Sequence, residues 1–132
     1  MAEKQANVVD AATAGPKLAD GVVGIDALQS SVPERGCTVF THYNGPTDEL
    51  SGLAVGMCVL DPGSSPHPPH QHPEEEFMIV ASGTGEIACG GIVTPVGPGA
   101  IMYCAGQVLH GITNTGKVPL TFYWSKWLGK RP

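Results

Sequence analysis

Three of the five histidines in this 132-residue chain stand within six positions, at His67, His70 and His72. His70 and His72 are two apart. On an extended strand, residues i and i+2 point to the same face, so this pair aims two imidazoles at one point. Glu76 follows four residues later, immediately before the apolar run Phe77 to Val80. If that run is the next strand and pairs with the first, Glu76 faces the same point. Two neutral imidazole nitrogens and one carboxylate oxygen form a facial donor set that divalent iron, manganese, nickel or zinc accepts.

The prolines around these residues favour extended backbone. His67 precedes Pro68 and His72 precedes Pro73, and a residue before proline is driven out of the helical region. An interior helical proline costs about 3 kcal/mol, so a helix through residues 65–73 is excluded. The stretch is also poor in backbone donors, which suits a strand end or a barrel mouth. The competing reading is a solvated proline-rich loop with incidental histidines.

A second stretch bears on that choice. Residues 97–116 run Gly-Pro-Gly-Ala-Ile-Met-Tyr-Cys-Ala-Gly-Gln-Val-Leu-His-Gly-Ile-Thr-Asn-Thr-Gly and contain His110 and, four residues on, Asn114. Taken together, the two stretches resemble the two cupin motifs. The first is His-x-His, three residues, Glu, six residues, Gly, here His70, His72, Glu76 and Gly83. The second has Gly99, then His110 eleven residues later, then Asn114. It departs from the family where Cys104-Ala105-Gly106 stands in place of Pro-x-Gly, which leaves the shape of that loop open. The resemblance covers roughly residues 50 to 125.

What the resemblance implies is an all-β jelly roll, the double-stranded β-helix of cupins. It implies one divalent metal ion, of iron, manganese, nickel or zinc, held by His70, His72, Glu76 and His110. Spacing alone would let Glu74, Glu75 or Glu76 claim the carboxylate role, and the family pattern favours Glu76. Four ligands on a six-coordinate ion leave two positions open, as in a catalytic rather than a closed structural site. The first functional reading is therefore a metal-dependent enzyme on a small organic molecule, of dioxygenase, isomerase or lyase type. Fold does not choose among these, and the catalytic residues stay unassigned. The alternative is a non-catalytic module that binds or senses a small ligand. A seed-storage-like role fits poorly, since such proteins usually carry two barrels.

Composition agrees with the all-β expectation. Eighteen glycines, twelve prolines and 14 % charged residues fit short strands joined by many turns. A net charge of −5 argues against nucleic acid or an anionic membrane as partner. No apolar run reaches the length of a membrane span. The N-terminus lacks the apolar core of a signal peptide, so a cytoplasmic location is expected. Cys37, Cys58, Cys89 and Cys104 form no Cys-x-x-Cys pair and read as free thiols.

In chain order, residues 1–20 read as a mobile tail or arm, and residues 21–132 as one barrel domain. Val22, Val23 and Ile25 are expected to begin a first strand. Strands are predicted at Cys37 to Tyr43, Leu53 to Leu60, Phe77 to Ala81, Glu86 to Cys89, Ile92 to Val96, Ala100 to Cys104, Leu109 to Asn114 and Leu120 to Trp127. Gly90-Gly91 reads as a hairpin turn.

Alternation then assigns faces. Met78 and Val80 share the face of Glu76, and Val108, Ile112 and Asn114 share that of His110. Met78, Val80, Val108 and Ile112, with His67 at the mouth, are the expected substrate pocket. His67 would bind substrate or shuttle a proton there, against the alternative of simple exposure. Asn114 is expected to tie a turn. Glu74, Glu75, His42, Lys126, Lys130 and Arg131 are expected to face water. Trp124 and Trp127 fall on opposite faces of the last strand. A homodimer is expected, since single jelly rolls expose sheet edges and an apolar outer face.

Overall fold

The computed structural model describes residues 15–31 and 35–130. Eight strands carry the fold: β1 Cys37–Gly45, β2 Leu50–Leu60, β3 Glu75–Ser82, β4 Gly85–Cys89, β5 Ile92–Val96, β6 Ile101–Cys104, β7 His110–Thr113 and β8 Leu120–Gly129. They form two antiparallel sheets, a five-stranded one in the order β1-β2-β8-β3-β6 and a three-stranded one in the order β5-β4-β7. The chain between β2 and β3 runs along the free edge of β7. Asn114 N donates to Ser64 O at 2.9 Å, and His70 and His110 exchange backbone hydrogen bonds of 2.9 and 2.8 Å. The His-x-His stretch thus becomes an irregular fourth strand of the smaller sheet, as its prolines require.

Sequence alternation sets the inner faces. Along β2 every even residue from Gly52 to Leu60 is buried and every odd one is partly exposed. Met78 and Val80 of β3, Met102 and Cys104 of β6, Ile87 of β4, Ile112 of β7, and Leu120, Phe122 and Trp124 of β8 complete the core. Gly56 stands opposite Trp124 in the β2–β8 register. A methyl at Gly56 would meet the Phe40 carbonyl and lie 2.5 Å from the Trp124 ring, so glycine is what lets this indole lie across the sheet. Gly90 and Gly91 turn β4 into β5 with φ of 60° and 85°, the paired positive values of a type I′ hairpin.

One expectation from sequence is corrected in this layout. Val22, Val23 and Ile25 do not begin a strand. Ile25–Ala27 is a single 3-10 turn and Val22 is almost wholly exposed. A lone β-branched run with no partner strand has no ladder to join, whatever its propensity. Residues 16–21 instead lean on the β1–β2 end: Leu18 N donates to Pro46 O at 2.9 Å, Lys17 pairs with Asp48 at 2.9 Å, and the Tyr43 hydroxyl donates to Gly21 O at 2.8 Å. The tail expected over residues 1–20 lies outside the described residues up to residue 14. Among the described residues, no helix is long and apolar enough to cross a membrane.

Candidate metal centre

Four side chains converge where the two sheets meet at one end. His70 and His72 come from the stretch beside β7, Glu76 from β3 and His110 from the start of β7. One nitrogen from each histidine and one carboxylate oxygen all lie within 4.8 Å of one another. His72, Glu76 and His110 are buried, and His70 is half-buried, so solvent reaches the cluster from the His70 side. The His67 ring stacks on His70 with centroids 3.7 Å apart, outside the cluster itself.

The backbone fixes how these rings present their nitrogens. His72 Nδ1 lies 3.0 Å from the Glu74 carbonyl, and His110 Nδ1 lies 2.8 Å from the Val108 carbonyl. A carbonyl only accepts, so each Nδ1 carries the proton and donates it. In the neutral rings each Nε2 then holds a lone pair. Both Nε2 atoms face the same oxygen, Glu76 Oε1, at 2.9 and 3.0 Å. Three acceptors turned on one another repel unless a cation stands among them, either a metal ion or an additional proton on a ring. This is the orientation that carbonyls or carboxylates impose on metal-binding histidines from behind. The donor set fits a divalent ion.

Protonation of the metal-free cluster follows the same logic. Burial raises the Glu76 carboxyl, but hydrogen bonds from His110 and His72 prevail and hold it at about 2. Burial lowers His110, yet the Glu76 carboxylate and the Val108 carbonyl outweigh it and raise its pKa. His70 is held down at about 3, first by burial and then by the neighbouring His67, His110 and His72. The cluster thus draws a proton to His110 while keeping His70 neutral.

The loop that departs from the expected motif has a physical role. Gly106 packs so close to Pro73 that a Cβ would collide with the Pro73 carbonyl. Gln107 takes φ of 66°, and its N–H donates to His72 O at 2.6 Å. The residues before His110 therefore clamp the His72 backbone. Cys104 faces inward with Sγ 3.3 Å from His110 Nδ1, and Tyr103 faces out. Burial first, and then Cys89, push the Cys104 thiol up to about 12, so it stays protonated beside the ring.

Two charged residues expected in water are buried here. Glu74 is buried, with Oε1 3.3 Å from His72 Nδ1; the Glu74 carbonyl takes the hydrogen bond, and Oε1 has no hydrogen-bond partner. Lys126 is 7 % exposed on the inner face of β8, with Nζ 5.5 Å from the Trp124 ring centroid. Burial lowers its pKa, and Glu76, Glu74 and Cys58 oppose that. The signal for both was parity. Glu74 is two before Glu76, and Lys126 two after Trp124, so each shares its neighbour's face. Charges are seldom buried without partners: Glu74 has His72 two residues away, while the groups around Lys126 come from far along the chain. Glu75 does face outward, accepting from the Tyr103 hydroxyl at 2.6 Å.

The expected pocket residues are placed as follows. Met78, Val80 and Ile112 are on the inner faces and packed into the core, at 3, 1 and 3 % exposure. Val108 packs against that core from the loop before β7. His67 also borders an outer groove of about 580 Å3 between residues 63–69 and the outer face of β4 and β7. Asn114 ties the turn beyond β7: Nδ2 donates to Leu60 O and Val118 O at 3.0 and 2.9 Å, and Oδ1 accepts from Gly116 N at 2.9 Å.

With this geometry in hand, known proteins can be compared. Among curated proteins, no sequence matches. The solved structures that match include an RmlC-like cupin from Shewanella frigidimarina, with TM-score 0.68, 14 % identity, and coverage of 86 % of this chain and 94 % of that one. KdgF from a Halomonas species gives TM-score 0.68, 18 % identity, and coverage of 86 % and 96 %. A sugar phosphate isomerase of the cupin superfamily from Silicibacter pomeroyi gives TM-score 0.64, 19 % identity, and coverage of 85 % and 77 %. These likenesses show the fold. The Cupin domain family model matches residues 56–126, more than half of the sequence, and the chain belongs to the cupin superfamily.

Proposed function

We propose that this cupin is a metal-dependent enzyme acting on a small organic anion at the cluster of His70, His72, Glu76 and His110. The observation that carries the reading is the pair of Nε2 atoms aimed at Glu76 Oε1, with both Nδ1 atoms tied to backbone carbonyls. Iron, manganese, nickel or zinc suits three imidazoles and one carboxylate. When bound, such an ion supplies Lewis acidity and a place for substrate or water.

The chain's own residues do the rest. Glu74 and the Val108 carbonyl orient the imidazoles from behind. Lys126 adds a buried positive charge beside Glu76. Formal charges from Glu74, Glu76, Lys126 and a divalent ion leave the centre one positive charge in excess, which favours an anionic substrate. The isomerase among the structural neighbours is named for a phosphorylated sugar, also an anion, which agrees with that class. The half-buried His70 leaves the approach on which His67 sits, placing His67 beside an entering molecule.

The test uses manganese-loaded protein. An open site should enhance water-proton relaxation, and small carboxylates should displace the exchanging water where neutral amides of the same shape do not. A closed coordination sphere, with no enhancement, would leave a structural metal and refute the enzymatic reading.

A further inference from the structure

We propose that the groove on the outer face of the smaller sheet is a second ligand site, separate from the metal centre, and that it takes a small polyhydroxylated anion. Two elements build the groove. The β4–β7 ladder is its floor, where Ala88 stands opposite Gly111 and Glu86 opposite Thr113, with Val93 of β5 beside Ala88. Residues 63–69 are its wall. That wall is fixed, since Gly63 N donates to Asn114 O at 2.8 Å and Asn114 N donates to Ser64 O at 2.9 Å. The volume of about 580 Å3 falls within the ~300–1,000 Å3 of small-molecule pockets. On the other side of β4 and β7, Ile87 and Ile112 fill the core, so this space is not the barrel interior.

Polar groups from separate parts of the chain border the groove. Arg35 reaches it from the turn before β1. That residue takes φ of 54°, uncommon for any residue with a side chain, and the next carbonyl, Gly36 O, accepts from Asp61 N at 2.8 Å. Its guanidinium is a permanent cation with a fork of donors. The Ser65 and Thr113 hydroxyls lie 2.7 Å apart. Whichever of them donates, the other keeps its proton for a ligand. His67 Nδ1 lies 2.9 Å from the Pro68 carbonyl, so it carries the proton, and Nε2 of the neutral ring accepts. Glu86, when ionised, only accepts.

This inventory selects the ligand. One guanidinium calls for one anionic group, and its fork matches a carboxylate or a phosphate. Two acceptors, His67 Nε2 and the Glu86 carboxylate, call for hydroxyl donors. A bare inorganic anion would satisfy Arg35 but meet Glu86 as a like charge. A neutral polyol would leave Arg35 without its counter-charge. Nothing in this donor set depends on a bound metal. The occupant would nonetheless sit one ring from the metal centre, because His67 lines the groove and stacks on His70.

Calorimetric titration of the full-length protein, metal-free and manganese-loaded, tests this with gluconate and with glycerol phosphate. At least one of the two should bind both forms, and the tighter one names the charged end. Sorbitol, acetate and inorganic phosphate should each bind about tenfold more weakly or not at all. Arg35→Gln removes the cation from an exposed position, and Ala88→Leu fills the floor without changing charge. Each should weaken binding about tenfold while leaving circular dichroism and metal content unchanged. In the metal-free protein, amide shifts should cluster at Ser65, Glu86, Ala88 and Thr113. Binding that disappears with the metal would put the anion on the metal centre and overturn the assignment. Failure of both ligands to bind, or full affinity in either Arg35→Gln or Ala88→Leu, would overturn it as well.

Discussion

Lys126 lies directly opposite Glu76 across the β3–β8 ladder, and both side chains are buried on the inner face. The inward cation and the inward carboxylate belong to neighbouring strands of one sheet, so neither can leave without moving the ladder. Replacing Lys126 with Met keeps the length and removes the charge. In metal-free protein it should cost of the order of 2 kcal/mol, because Glu74 and Glu76 lose a nearby opposite charge. With metal bound the cost should be smaller, since the ion supplies positive charge itself. Urea unfolding of both forms checks the difference, and equal losses would contradict it. Carboxylate binding to the manganese-loaded variant should also weaken about tenfold, which is ~1.4 kcal/mol.

Glu74 and Glu75 are neighbours in sequence with opposite surroundings. Glu74 supports His72 from behind, while Glu75 meets the Tyr103 hydroxyl on the outside. Glu74→Gln should lower metal affinity about tenfold, the small end of the range for groups that orient a ligand, because the Glu74 carbonyl still takes the Nδ1 proton. Glu75→Gln should leave affinity unchanged. Competition dialysis against a chelator measures both, and the reverse order would mean that the carboxylates have been assigned to the wrong faces.

The pH dependence of the metal-free protein follows from three shifts. His70 is depressed from 6.5 to about 3, so its contribution to stability is present above pH 6.5 and is lost as pH falls from there toward 3. Glu76 is depressed from 4.5 to about 2, so its contribution is present above pH 4.5 and is lost toward 2. His110 is raised, so its contribution is present below pH 6.5 and is lost as pH rises through its folded value. Stability should therefore peak around the ordinary histidine range. Metal binding displaces the proton that His110 draws, so the gain in melting temperature on metal loading should shrink as pH falls. Scans of both forms from pH 4 to 8 check this; a constant gap would mean that protons and metal do not compete.

Much of this arrangement is legible from local signals. Ile92–Val96 is found at its predicted bounds because Gly90-Gly91 and Gly97 punctuate it on both sides. The His-x-His spacing and its prolines aim His70 and His72 at one point, whereas Glu76, rather than Glu74 or Glu75, and His110 join them through the resemblance to the cupin motifs. What local signals miss depends on partners far along the chain. Val22 to Ile25 has strand propensity but no strand to pair with. Lys126 appears solvated near a basic C-terminus until Glu76, fifty residues earlier, is placed opposite it. The loop before His110 could not be drawn because its shape depends on Pro73, against which Gly106 closes.

The central claim is that four named side chains hold one metal ion, and metal content measures it most directly. Protein loaded with manganese and dialysed at pH 7.5 should retain one ion per chain. His70→Ala and His110→Ala should each lose it, and His67→Ala, whose ring only stacks on His70, should keep it. Retention of a full ion by His110→Ala, or loss by His67→Ala as complete as by His70→Ala, would contradict the account.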